Sequence, residues 1–393
     1  MTKKKINIAL IIFTYLIMII FGLYENMTGP AIPSIIKTFN TTYTLIGTML
    51  LLCTLAYLVG TLIFGVITDK FGFRITFLVS SFLILLSAIL IRYAENFYIF
   101  IIMFIVMRLG FGGYETGLNS LGAVIFVRSS AILMNIMHLF FGVGSIIGSQ
   151  LIARFLGASL EWYSAYSTAT VFVLVAIVLA AFLSFPKPDS HKEIEKINIW
   201  TFLKSDKVVW LIVLALGFSE VLELSTAGWL VNFLQKSQGL TNKDASFYLT
   251  IFFVLFSIAR LFGGFIAEKV GYIKFVAFSA LLASVCFYIA FTFGGWANIF
   301  YSIAGAPIAI LFPTIMVVLM KNYNTSIGTI MGVVIASAGG IFMILSQVIG
   351  LIADTVSIDL SFGIIGISGV ICFASMMLVK KHVHSTEGAH ESL

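Results

Sequence analysis

The feature that constrains this chain most is a series of twelve long apolar stretches, separated by short polar turns. A helix needs about twenty mainly apolar residues to cross roughly 30 Å of hydrocarbon. The stretches therefore predict twelve membrane spans, and these should be helices because lipid cannot hydrogen-bond to bare backbone groups. The predicted spans cover residues 7–33, 43–67, 75–92, 97–122, 132–155, 163–185, 208–234, 246–267, 273–294, 296–320, 326–352 and 360–379.

The composition supports a membrane location. Of the 393 residues, 60% are apolar and 10% are charged. A soluble protein of this length needs more polar residues than this to cover its surface. The predicted fold class is therefore an all-α polytopic membrane protein in contact with the lipid bilayer. The net charge of +6 does not indicate nucleic acid, because the basic residues are scattered between apolar runs. The three cysteines lie singly in apolar stretches, so they predict neither a metal nor a cofactor site.

The distribution of lysine and arginine predicts the orientation in the membrane. Most of the 23 basic residues fall in the turns that share a side with both termini and with the polar linker 186–207. Basic loops are retained in the cytoplasm, so both termini and the linker are expected there. The abundant isoleucine, lysine and phenylalanine are typical of an AT-rich bacterial genome, which suggests a bacterial cell membrane.

The chain also contains an internal repeat. Gly65-Val-Ile-Thr-Asp69-Lys70-Phe-Gly72 follows the second span, and a similar segment at 264–271 follows the eighth. The second copy carries Glu268 and Lys269 where the first has its acid and lysine. Such a duplication indicates a transporter built from parallel repeats. The predicted domains are a six-helix bundle at 1–185, the linker 186–207, a second six-helix bundle at 208–380 and a cytoplasmic tail at 381–393.

The pattern Gly65-x-x-x-Asp69-Lys70-x-Gly72-x-Arg74 resembles the signature of the major facilitator superfamily, in the position where that family has it. The resemblance covers essentially the whole chain and implies alternating access between two six-helix bundles. It also implies that Asp69, Lys70 and Arg74 belong to a cytoplasmic gate. By the repeat, Glu268 and Lys269 are further gate candidates, and Arg260, one turn before Gly264, is assigned to the gate as well.

Four segments are similar to the fucose–galactose–glucose:proton symporters, a narrower family. They are the glycine-rich run 110–119 with an acid and an asparagine, and the segments 135–144, 223–232 and 312–314. That resemblance implies sugar transport coupled to protons. The chain departs from the family in the first span, where Gly29 rather than aspartate precedes Pro30 and the nearest acid is Glu25. Pro30 and Pro33 are expected to kink or end this span.

Ionisable residues within spans are costly and usually face the protein interior or a water-filled cavity. The predicted spans contain four acids, Glu25, Glu115, Glu220 and Glu223, against two bases, Arg108 and Arg260. Burial disfavours the charged form of a carboxyl group, so a buried acid can carry protons across the membrane. Glu115 is the first choice for proton coupling, with Arg108 and Glu25 as further members. The alternative is that Arg108 and Glu115, seven residues apart on nearly the same helix face, form a structural network.

The candidates for substrate binding are polar or aromatic residues of the same spans. Asn119, one turn after Glu115, is suited to bind a substrate hydroxyl, and Trp229 to stack on a sugar ring. Trp229 is equally well interpreted as an interfacial anchor after a helix loosened at Gly228. One glutamate of the seventh span can instead simply pair with Arg260, and His138 can be a helix–helix hydrogen-bonding residue. The full set is Asn119, Asn26, His138, Glu220, Glu223, Trp229 and Asn232.

The sequence contains no Walker loop, HExxH or nucleophile elbow, so it is not predicted to be an enzyme, and an ion gradient must drive any accumulation. The hypothesis is a monomeric, proton-coupled importer of a small neutral polar solute, with a sugar as the leading candidate. One alternative is a proton antiporter that exports cationic or amphipathic compounds. Another is a membrane sensor that transports nothing.

Overall fold

The computed structural model describes residues 8–126, 129–186, 206–323 and 326–390. These residues form helices joined by short turns, and twelve helices are long and apolar enough to cross a membrane. The predicted number of spans is therefore confirmed within the described part of the chain. We number the helices by span: α1 Ile8–Phe39, α2 Tyr43–Phe71, α3 Phe73–Leu90, α4 Phe97–Ile125, α5 Ser130–Gly157, α6 Trp162–Phe182, α7a Lys207–Glu220, α7b Thr226–Gln238, α8 Asn242–Val270, α9 Tyr272–Phe293, α10a Ile299–Ala309, α10b Leu311–Asn322, α11 Ile327–Thr355 and α12 Ile358–His390.

The end of α1 differs from the prediction. The helix passes through Pro30 and Pro33 and ends at Phe39, so neither proline terminates it. Proline has no N–H to donate to the carbonyl four residues earlier. For Pro30 that carbonyl belongs to Asn26, and it accepts instead from the Ser149 hydroxyl of α5, at 3.5 Å. A neighbouring helix thus supplies the missing donor, which is how spans tolerate proline.

Spans 7 and 10 are each interrupted near their middle. A π-helical turn, Val221–Ser225, joins α7a to α7b, and it lies before Gly228, where the sequence had placed the irregularity. In span 10 the helix breaks at Ile310, between α10a and α10b. Pro313 explains this break, because it removes the N–H that would bond to the Ala309 carbonyl.

The described residues divide into two compact units. The first comprises 8–126, 137–186 and 326–336, and the second comprises 129–136, 206–323 and 337–390. Each unit therefore contains one sequence half of the spans together with the first turns of a single helix, α5 or α11, from the other half. The predicted bundle boundaries stay a prediction, and most of the linker, 187–205, lies outside the described residues.

The start of span 7 is held to the end of span 10 by Asp206. Its carboxylate caps α7a by accepting from Val208 N at 2.8 Å, and it also accepts from the Tyr323 hydroxyl at 2.6 Å. Burial and the neighbouring carboxylate raise the pKa of Tyr323. The hydroxyl therefore keeps its proton and remains the donor.

Many apolar side chains are exposed on the described helices. Phe82, Ile102, Val178 and Phe182 are 56%, 60%, 55% and 84% exposed. In water such surfaces would be an aggregation hazard, whereas lipid contacts them at no cost. This exposure agrees with the membrane location that the composition predicts.

Within the first unit, α1 and α5 approach so closely that glycine is required at the contact. A Cβ atom built on Gly22, Gly144 or Gly148 would overlap a carbonyl oxygen of the facing helix. Small residues allow such close approach, and van der Waals packing is what holds spans together in lipid. Gly142, on the same helix α5, has open space at its Cβ position.

This difference predicts opposite effects for two alanine substitutions in α5. Gly144→Ala should lower stability by about 1–3 kcal/mol through overpacking. Gly142→Ala should leave stability unchanged or raise it slightly, because alanine has the higher helix propensity. The thermal unfolding midpoint of the purified protein in detergent measures both. Equal midpoints for the two variants would contradict the α1–α5 contact.

Candidate functional site

The site in the first unit is built on one face of α4. Arg108, Glu115 and Asn119 are seven and four residues apart, which returns each side chain to within about 20–40° of the same direction. All three are buried, with exposures of 9%, 5% and 0%. The sequence prediction that these residues share a face is consistent with α4 being one continuous helix.

Arg108 forms an ion pair with Glu25 of α1. Its guanidinium also lies over the Phe111 ring, 6.0 Å from the centroid, and adjoins the Cys53 thiol of α2. The sequence left the role of Glu25 open and offered Glu115 as a possible partner of Arg108. The structure pairs the arginine with Glu25, across two helices.

Glu115 and Asn119 form a second polar group. The Asn119 side-chain nitrogen Nδ2 donates to the Glu115 carboxylate oxygen Oε1 and to the Glu115 carbonyl, both at 2.8 Å. Because the backbone carbonyl only accepts, the orientation of the amide is fixed. Its oxygen Oδ1 is buried and has no hydrogen-bond partner in the part of the chain that the structure describes. A ligand hydroxyl is the kind of donor that this oxygen lacks.

The other candidates in the first unit lie on α1 and α5. Asn26 uses its Nδ2 atom within the protein, donating to the Ser145 hydroxyl at 2.7 Å and to the Gly22 carbonyl at 3.1 Å. Its carbonyl is the one freed by Pro30, so Asn26 lies at the α1–α5 contact. His138 is buried on α5. Their substrate-binding roles stay predictions.

In the second unit, the π turn carries Glu223 towards Arg260 of α8. The Glu223 Oε1 and Arg260 Nη2 atoms are 3.7 Å apart, and the two side chains are 21% and 10% exposed. This is the pairing that the sequence analysis gave as the alternative for one glutamate of span 7. The sequence had assigned Arg260 to the gate, but the ion pair lies about two helical turns from Glu268.

The remaining candidates of span 7 are partly exposed. Glu220 precedes the π turn, and Trp229 and Asn232 follow it on α7b. The Trp229 ring faces α11, because a Cβ built on Gly350 would lie 3.8 Å from it. The three side chains therefore lie on a surface of span 7 that neighbouring helices of the second unit cover only in part.

The acid of the first repeat motif caps the start of α11. The Asp69 oxygen Oδ1 accepts from Gly328 N at 2.9 Å, and Oδ2 accepts from Thr329 N at 2.7 Å. The first N–H groups of a helix have no partner within the helix, and the helix dipole favours negative charge there. Asp69 therefore binds α11 through both hydrogen bonds and charge.

The acid of the second motif makes a related contact in the second unit. The Glu268 oxygen Oε1 accepts from Ala131 N, at the start of α5, at 3.0 Å. Its other oxygen, Oε2, accepts from the Tyr272 hydroxyl at 2.7 Å. Lys321 lies over the Tyr272 ring, 5.2 Å from the centroid. Tyr272 was missed by the sequence analysis, because the first copy has Phe73, which has no hydroxyl, at the matching position.

The basic residues of the motifs are less engaged. Lys70, Lys269 and Arg74 are exposed, and the Arg74 Nη2 atom donates to the Leu183 carbonyl at 2.9 Å, at the end of α6. Among the described residues, no group of three or more His, Cys, Asp or Glu side chains could hold a metal ion.

A family model described as Major Facilitator Superfamily matches residues 14–346 and 221–392. The glucose/mannose transporter GlcP of Bacillus subtilis is 24% identical, over 94% of this chain and 94% of that protein. The fosmidomycin resistance protein of Escherichia coli is 26% identical, over 56% of this chain and 55% of that protein.

A crystal structure of the Escherichia coli fucose:proton symporter FucP has the same fold. Its TM-score is 0.82 at 18% sequence identity, and the match covers 95% of this chain and 99% of that chain. Together with the twelve described helices, this likeness confirms the predicted fold class of two pseudo-symmetric six-helix bundles.

The cap on α11 predicts that Asp69→Asn destabilises the protein by about 1–2 kcal/mol, because the charge at the helix terminus and one acceptor are lost. Lys70→Gln, a neutralised charge at the next and exposed residue, is the matched control and should change stability little. Thermal unfolding in detergent measures both variants. If Asp69→Asn behaved like the control, the cap would not contribute to stability.

Proposed function

Because the chain belongs to the major facilitator superfamily, a family of transporters, we propose that it carries a small neutral polar solute together with protons by alternating access. A sugar is the solute that we favour. The observation that carries the proposal is the buried pair of Glu115 and Asn119. The Glu115 carboxyl group accepts from the Asn119 nitrogen, and the Asn119 oxygen has no partner among the described residues.

The pair suggests how a proton and a solute can be coupled. An ionised Glu115 binds the Asn119 Nδ2 atom by a charge-assisted hydrogen bond, which is stronger than a neutral one. A proton on Glu115 weakens that bond, so the amide is freed to bind solute hydroxyls with its nitrogen as well as its oxygen. By linkage, a bound solute that takes up the amide favours the protonated Glu115. Proton and solute therefore bind together, as symport requires.

Glu25 and Arg108 have a supporting role in this proposal. Their ion pair keeps two charges compensated inside the membrane, where an isolated charge is costly. A proton that reaches Glu25 must break the pair, so Glu25 is the slower carrier and Glu115 the primary one. Asn26 and His138 in the first unit, and Glu220, Glu223, Trp229 and Asn232 in the second, are proposed as further solute-binding residues.

A sugar is favoured by one relative that matches over 94% of both chains and is named a glucose/mannose transporter. The resistance protein matches over about half of each chain. Export of cationic or amphipathic compounds by proton antiport remains the second candidate function, favoured by the surplus of acids in the spans. A sensor that does not transport would need neither the two motifs whose acids cap helices nor the buried acids of the spans.

The helix caps formed by Asp69 and Glu268 suggest how the cytoplasmic gate works. In our proposal, Asp69 and Glu268 each hold the start of a helix from the other sequence half in one state of the cycle and release it in the other. Lys70, Arg74 and Lys269 then offer exposed charges with which these acids exchange partners. Arg260, also assigned to the gate from sequence, acts by its contacts with α7 and α10.

The proposed setting is the cell membrane of a bacterium, with both termini in the cytoplasm and the chain working as a monomer. The solute and protons are the expected partners besides lipid.

Glu115→Gln tests the proton role. The glutamine keeps an oxygen that accepts from Asn119 but cannot take up or release a proton. In proteoliposomes the variant should lose pH-driven accumulation of labelled glucose or fucose by tenfold or more, while counterflow of the same sugar persists. Glu95→Gln, at an exposed position before α4, is the matched control and should accumulate normally.

Full accumulation by Glu115→Gln would show that another acid carries the proton. Loss of both accumulation and counterflow, with a normal unfolding midpoint, would mean that Glu115 binds solute rather than couples it. If lipophilic cations, and no sugar, moved protons in the opposite direction, the exporter would replace the symporter.

A further inference from the structure

The break in span 10 leaves one backbone carbonyl without its helical donor. Pro313 has no N–H, so the Ala309 carbonyl cannot form the usual bond within the helix. The side-chain Nε of Arg260, on α8, donates to this oxygen at 3.2 Å. An unsatisfied carbonyl is expensive in a water-free interior, so this contact matters for the stability of the break.

The same guanidinium reaches the irregular turn of span 7. Its Nη2 atom lies 3.7 Å from the Glu223 carboxylate, and Glu223 is in the middle of the π turn. π turns occur frequently at functional sites, where they insert an extra residue into a helix. The π turn and α10a are also in direct contact.

Arginine is suited to this double contact. The Nε–H and one Nη2–H of a guanidinium point in the same direction, so one edge can serve two acceptors. The Phe256 ring, one turn earlier on α8, lies 4.3 Å from the Arg260 Cζ atom and holds the plane from one side. A lysine would supply the charge but not the two-point edge.

We propose that Arg260 is a positioning residue that ties the π turn of span 7 to the break of span 10, so that the two irregular points move as one during transport. Both points are places where a helix can bend, and Arg260 contacts each of them, by a hydrogen bond to the Ala309 carbonyl and by an ion pair with Glu223. The role differs from that of a gate residue at the repeat motif. The inference that Arg260 links the two irregular points does not depend on which solute is carried. Only its effect on transport rate rests on the proposed function.

Hydrogen–deuterium exchange tests the tie without a substrate. In Arg260→Lys, backbone exchange should rise about tenfold in peptides covering both 221–225 and 309–314, because the charged hydrogen bond to the Ala309 carbonyl and the guanidinium contact with Glu223 are both lost. Arg154→Lys, at an exposed position near the end of α5, is the matched control and should change neither. A rise in only one of the two peptides, or in neither, would overturn the proposal.

Pro313→Ala identifies the atom through which α10 is tied. Alanine restores the N–H that the Ala309 carbonyl lacks, so the carbonyl no longer needs Arg260. In this background Arg260→Lys should leave exchange at 309–314 unchanged and still raise it at 221–225. If Arg260→Lys raised exchange at 309–314 equally with and without Pro313, the carbonyl contact would not be the tie.

Glucose counterflow in proteoliposomes gives the kinetic readout. Arg260→Lys and Pro313→Ala should each lower the maximal rate several-fold with KM changed less than about twofold. The double variant should be no slower than the slower single one, because both substitutions remove the same contact, that of Arg260 with the Ala309 carbonyl. Additive losses, or a rise in KM alone, would contradict a positioning role. If no sugar is carried at all, the proposed solute is wrong. The hydrogen–deuterium exchange result still shows whether Arg260 links span 7 to span 10.

Discussion

The hydrocarbon of a bilayer offers no hydrogen-bond partner, and most of the features described above follow from that constraint. Where Pro30 and Pro313 remove backbone donors, a neighbouring side chain takes over: Ser149 for the first and Arg260 for the second. Where helices begin, Asp69 and Glu268 satisfy N–H groups that have no helical partner. Polar groups inside the described units are thus committed to structure first, and function has to use the exceptions.

Asn119 is such an exception, since its nitrogen donates to Glu115 while its buried amide oxygen meets no donor within the described ranges of the chain. A buried acceptor without a donor costs about 1–3 kcal/mol, so its persistence needs a compensating use. A bound solute hydroxyl supplies that use in the proposed cycle. The first unit also contains the ion pair of Glu25 with Arg108, and the second contains that of Glu223 with Arg260, so these buried charges are compensated within their own unit.

The fold was predictable because hydropathy is a property of long segments. Twelve apolar segments of spanning length have to form helices in a bilayer, where the backbone finds no other hydrogen-bond partner. The repeat and the motif around Asp69 were also visible, since they recur 199 residues later at Glu268. Pairings between helices were not predictable, because local spacing cannot reveal which distant side chain meets Arg108 or Arg260. Tyr272 was not predictable either, because its hydroxyl is present in only one copy of the repeat. The π turn was not predictable because its five residues include no glycine or proline.

The central claim is that solute and proton move together in the same direction. Proton flux measured with a pH-sensitive dye inside proteoliposomes tests it most directly, with separate additions of external sugars and of lipophilic cations. The account predicts that an external sugar, glucose and fucose being the first to try, acidifies the lumen and that lipophilic cations do not change its pH. Proton movement out of the lumen on addition of cations, with no response to any sugar, would contradict it.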